Sequence, residues 1–88
     1  AGNTGTSATI TTSTLATANG DMVILAGTNG NTGSYTVNNS FAKAIELTVD
    51  SGDGVCGYKS ATGAAETPSI THSYANRQVL VGFTVQAQ

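Results

Sequence analysis

The sequence predicts an all-β protein, a sandwich or small barrel built as one domain over residues 1–88. Three observations carry that expectation. Short apolar or alternating stretches recur at regular intervals, with turn signals between them and the single proline, Pro68, in a loop; and no stretch keeps a helical period over a useful length. The third is the far end of the chain, Arg77–Ala87 (RQVLVGFTVQA), where Val79, Val81, Phe83 and Val85 recur every second residue. That period predicts a strand with its valine and phenylalanine face in a core and Leu80, Gly82, Thr84 and Gln86 on the other face. Eighty-eight residues suffice for one modest core.

Taken in order, Ser7–Thr14 (SATITTST) is Thr-rich with Ile10 as its only large apolar side chain, which suits an edge strand. Thr17–Asp21 is a turn, with Asn19-Gly20 supplying the positive φ of a tight reversal. Met22–Ala26 (MVILA) is a continuous apolar run, expected as a central strand covered on both faces. Gly27–Gly33 reads as a loop, Ser34–Val37 as a short strand with Tyr35 and Val37 on one side, and Asn38-Asn39-Ser40 as a turn. Phe41–Val49 fits a helical face loosely, but Lys43, Ile45, Leu47 and Val49 alternate, so Ala44–Val49 is assigned as strand. Asp50–Gly54 turns, Val55–Ser60 is a strand and Ala61–Pro68 a loop. Ser69–Tyr74 alternates Ile70, His72 and Tyr74 against Thr71 and Ser73, and Ala75-Asn76 leads into the final strand. The total is about seven short strands, mostly antiparallel.

Composition narrows the functions. Charged residues make up 9% of the chain and the net charge is -2, with Thr, Ser, Asn and Gly in their place. Three basic residues cannot form an electrostatic footprint for nucleic acid. No apolar run approaches a membrane span, so no membrane insertion is expected. A chain opening on Ala1 fits either a mature form left by a leader or one trimmed of its Met. A lone Cys56 excludes an internal disulfide framework.

The candidate chemical sites are few. His72, the only imidazole, would need a nucleophile and an orienting carboxylate: Ser60, Ser69 or Ser73 with Asp50 or Asp53 supply the types, but no nucleophile-elbow pattern is present. By its period-two neighbours His72 is a half-buried strand histidine. Cys56 and His72 fall short of the four ligands of a zinc site. Asp50 and Asp53 in a glycine-rich turn offer oxygens to calcium without the EF-hand spacing, and a solvated turn is the expected state. Asn38-Asn39-Ser40 is a formal glycosylation triplet. Lys43 or Lys59 with Glu46 or Glu66 and Asn76 are the residue types of an intramolecular isopeptide cross-link, although exposed ionic side chains need no such explanation. Tyr35, Phe41, Tyr58, Tyr74 and Phe83 are the whole aromatic set, thin for a sugar platform. No cofactor or metal is implied.

Asn19–Leu25 (NGDMVIL), Gly33–Thr36 (GSYT) with Phe41, Gly57–Ala61 (GYKSA) and Arg77–Phe83 together resemble small jelly-roll-like β-sandwich domains of phage structural proteins and of secreted bacterial surface proteins. In such domains an Asn/Gly-Asp turn opens a buried strand and a Tyr-Lys stretch precedes a closing apolar strand. The resemblance implies a scaffolding, coat or adhesion role, with no catalytic residues carried over. Larger loops and tryptophans of such domains have no counterpart here. The expected function is therefore a non-enzymatic structural subunit of a self-associating extracellular, cell-surface or virion assembly, with copies of itself as partners. The alternative is a carbohydrate-binding or adhesive module, with Gly27–Gly33 and Ala61–Pro68 as its rim and Asn29, Asn31 and Tyr35 as contacts. An N-terminal arm within 1–14 is the expected connector: Ala1, Gly2, Asn3, Thr4, Gly5 and Thr6 have few apolar anchors, so pairing to the sheet edge of a neighbouring copy would help order them.

Overall fold

The computed structural model describes residues 1–86, and it is all-β. Eight strands are present: β1 (Gly2–Gly5), β2 (Thr9–Thr11), β3 (Met22–Asn29), β4 (Tyr35–Val37), β5 (Ala42–Val49), β6 (Gly52–Ser60), β7 (Ser69–His72) and β8 (Gln78–Val85). They form two antiparallel sheets, a five-stranded one in the order β1-β8-β3-β6-β5 and a three-stranded one in the order β2-β7-β4. Consecutive strands alternate between the sheets except at the β5–β6 hairpin.

Both sheets feed one core. Val23, Leu25, Val55 and Leu80 come from the large sheet, Ile10, Tyr35 and Ile70 from the small one, and Phe41 and Ala61 close the sides. Glycines on the inner face of the large sheet let the second layer approach. A Cβ at Gly27 would lie 2.6 Å from Ile70 Cδ1, and one at Gly82 would lie 2.8 Å from Pro68 Cγ. Real Cβ atoms do not come that close, so these glycines set how tightly the sheets meet.

The final strand is where the expectation fails. The core receives Gln78, Leu80 and Gly82, whereas Val79, Val81, Phe83 and Val85 are exposed. The pairing of β8 with β3 explains the reversal, because it sets Leu80 opposite Gly27 and Gly82 opposite Leu25, beneath Ile70 and Pro68. Bulky side chains at Gly82 would not fit under Pro68. Buried Gln78 anchors the same face by donating from Nε2 to the carbonyls of Ser7 and Ala8. β5 carries a second correction. A bulge between Lys43 and Ile45 reverses the alternation, so Lys43 does not share a face with Ile45, Leu47 and Val49.

Other differences concern bounds. β3 runs on through Gly27–Asn29, which the sequence assigns to a loop, and Gly52–Gly54 belongs to β6 rather than to the preceding turn. The Ser7–Thr14 strand shrinks to Thr9–Thr11, β7 ends at His72, and Gly2–Gly5 adds an eighth strand. Ala87, the last residue of the stretch assigned to the final strand, lies outside the described residues.

Candidate functional site

The most distinctive surface is the outer face of the five-stranded sheet. Strand alternation and register place Val79, Val81, Phe83 and Val85 of β8 there, with Met22, Ile24, Ala26 and Thr28 of β3 beside them. Gly54, Cys56, Tyr58 and Ser60 of β6 follow, then Ile45, Leu47 and Val49 of β5. No charged side chain of the five strands lies on this face. Lys43, Glu46, Asp53 and Lys59 all turn to the other side, where Lys43 and Glu46 bond the backbone of Tyr35, Asp53 meets His72, and Lys59 reaches Glu66. The exposed apolar side chains are large: Val81 is 42% exposed, Phe83 48% and Val49 73%. Such a contiguous apolar face exceeds what a solvated sheet normally presents.

The face has relief. A trough of about 380 Å³ runs along it, floored by Ala26, Thr28, Gly54 and Cys56 and walled by Val79 and Val81 on one side and Ile45 and Leu47 on the other. Small side chains on the two middle strands make the floor; branched ones on β8 and β5 make the walls.

The inner side holds the titratable cluster. Asp53 is buried and accepts from Thr48 Oγ1 at 2.6 Å, the Gly33 amide at 2.7 Å and His72 Nε2 at 2.9 Å. The Thr48 hydroxyl first, then His72 and the Gly33 amide, hold its carboxyl below the usual carboxylate range against burial, which pushes the other way. His72 Nδ1 accepts the Tyr74 amide at 3.0 Å, which leaves Nε2 to donate to Asp53. Asp53 thus ties β6 to β7 and to the loop before β4. Its neighbour Tyr35 packs edge-on to His72 with ring centroids 4.7 Å apart, and burial, with the Asp53 and Glu46 charges, pushes its hydroxyl up to about 12.

Of the residue types drawn into a triad, the fold unites Asp53 with His72 but adds no serine. Ser73 Oγ bonds Ser34, and Ser69 Oγ bonds Thr11 and Asn38. His72 is buried outright rather than half-buried, and both its nitrogens are engaged. Asp50 lies exposed in the turn while Asp53 points into the core, so the two do not converge on a cation; among the described residues no group of three His, Cys, Asp or Glu does. Cys56 lines the outer trough, whereas His72 is on the inner side. Lys43 pairs with Glu46 at 3.5 Å and Lys59 with Glu66 at 2.9 Å, while Asn76 Oδ1 accepts the Arg77 amide. Asn38 Nδ2 donates to Ser69 Oγ and Thr71 Oγ1. Of the rim contacts Asn29, Asn31 and Tyr35, only Asn31 is exposed.

The N-terminal residues are held at home in the single chain. Gly2–Gly5 pairs with Val81–Gln78, the Ala1 amino group donates to the Gly82 carbonyl at 3.0 Å, and Asn3 Nδ2 donates to the Thr11 carbonyl.

Sequence reasoning missed the outer face because it spent the valines of β8 on the core. The signal was in Met22–Ala26, apolar on both faces, and in glycines 27, 57 and 82, which fall on one face of three adjacent strands. Compared with known protein families, with curated proteins and with solved structures, the chain matches none.

Proposed function

We propose that the protein is a non-enzymatic structural subunit of a self-associating extracellular or virion assembly, such as a filament, coat or sheath. The observation that carries this reading is the charge-free apolar outer face of the five-stranded sheet, which a single chain leaves in water. Interface cores are depleted in Lys, Glu and Asp in the same way. The low charge of the whole chain agrees, and so does an Asp53–His72 pair whose hydrogen bonds are spent on joining the two sheets. The extracellular or virion setting follows from the resemblance to phage and bacterial surface domains. Ala1–Thr6 is a second candidate contact: its residues are exposed along their whole length, and the β1–β8 pairing can form between copies in the same register.

Size-exclusion chromatography and electron microscopy of native material test the reading. Larger species that grow with concentration, or filaments or shells, are expected. A monodisperse monomer at high concentration, with no ordered assemblies, would overturn it.

A further inference from the structure

We propose that two copies of the chain pack face to face through the outer surfaces of their five-stranded sheets, the β8 ridge of each lying in the trough of the other. The inference rests on the self-association reading above and names its contact surface. Three observations lead to it.

The first is area. Five strands, four of them eight or nine residues long, cover roughly 600 Å² at about 3.4 Å per residue and 4.8 Å between strands. Two such faces therefore bury on the order of 1,200 Å², the lower end of specific interfaces. The second is shape. Ridge and trough lie side by side on one surface, with Val79 and Val81 as the ridge and Ala26, Thr28, Gly54 and Cys56 as the floor next to it. A twofold axis along the strands brings each ridge over the other copy's floor in one operation, which is the isologous arrangement of closed dimers. Aligned sheets pack this way about 10 Å apart. The third is charge. With no ionic side chain on the strands of this face, nothing there selects an acidic or basic partner, whereas an identical apolar face meets it without stranding a charge.

The register makes the contact specific. Val81, Ala26, Cys56 and Ile45 form one row across the sheet. Val81 of one copy therefore descends on the Ala26–Cys56 part of the row in the other.

The experiment is sedimentation velocity over a concentration series, with melting temperatures measured alongside. Wild-type protein is expected to self-associate. Val81→Lys on the ridge and Thr28→Lys on the floor are each expected to raise the dissociation constant at least 100-fold, with melting temperatures within a few degrees of wild type because both positions are exposed. If the wild type associates while both lysine variants associate equally well, the face-to-face packing is wrong and self-association stands on another surface. If the wild type stays monomeric throughout, both the packing and the reading beneath it fall.

Discussion

The two faces of the five-stranded sheet are made from the same strands and obey opposite rules. The inner face alternates large side chains with glycines, admits the small sheet close enough for Ile70 to sit on Gly27, and gathers the ionic groups into paired positions. The outer face is mostly apolar from β8 to β5, has no ionic side chain on its strands and leaves large apolar side chains exposed. Leu80 and Val81 are adjacent, both apolar and both in β8, yet one is fully buried and the other 42% exposed. Apolar alternation therefore says that a strand has faces. What assigns a face to the core is the space available opposite it.

The largest contrast should come from truncating those two neighbours. Leu80→Ala leaves a cavity in the shared core and should lower stability by about 2–5 kcal/mol. Val81→Ala should cost less than about 1 kcal/mol in the isolated fold, as for ordinary surface substitutions. Chemical denaturation of dilute protein measures both, and equal losses would erase the distinction between the faces.

A glycine pair sharpens it. Gly27→Val drives a side chain into Ile70 and should destabilise by roughly 1–3 kcal/mol. Gly54→Val on the outer face meets nothing nearer to its Cβ than the Gly27 carbonyl at 3.8 Å. It should leave folding stability nearly unchanged, and by filling the trough it should weaken self-association. A matched drop in melting temperature for both variants would contradict the account.

The Asp53 cluster belongs to the inner face and gives it a pH dependence. Because the folded carboxyl titrates below its unfolded value, the cluster contributes fully above the unfolded value near pH 4 and is lost as pH falls through the folded one. Asp53→Asn should therefore lower stability at neutral pH by about 1–3 kcal/mol, as a buried donor loses its acceptor. The loss should shrink on acidification, which urea titrations between pH 7 and pH 3 would follow. A constant deficit across that range would show that the carboxylate charge is not what joins the sheets.

Deleting Ala1–Thr6 should have a small effect on the fold, since the segment contributes backbone pairing but no buried apolar side chain. It also tells the two candidate contacts apart. An unchanged association threshold assigns the contact to the sheet face, and a raised one gives the arm a share in it.

Much of the fold was legible because turn chemistry is local. Asn19-Gly20 predicts the reversal before β3, and Gly20 has φ 91°. Asn39 and Ser40 at φ 59° and 67° form the tight turn expected between β4 and β5, and Asp50 at φ 56° helps to close the β5–β6 hairpin. What was not legible depends on distant partners. Asp53 and His72 lie 19 residues apart on strands of different sheets, so no spacing rule joins them. The β5 bulge turns Lys43 inward against the alternation its neighbours suggest. β1 has no apolar pattern and exists only because β8 offers it an edge. Most of the candidate surface was visible as residues but not as a surface, because its strands come from separate stretches of chain.

The central claim is that the outer face of the five-stranded sheet is covered by another copy at working concentration. Carbene footprinting across a concentration series measures this directly, because it labels exposed apolar side chains in place. Labelling of Val81 and Phe83 is predicted to fall as concentration rises, while that of exposed Tyr74, outside the face, stays constant. Labelling of Val81 and Phe83 that holds level from nanomolar to near-millimolar protein would contradict it.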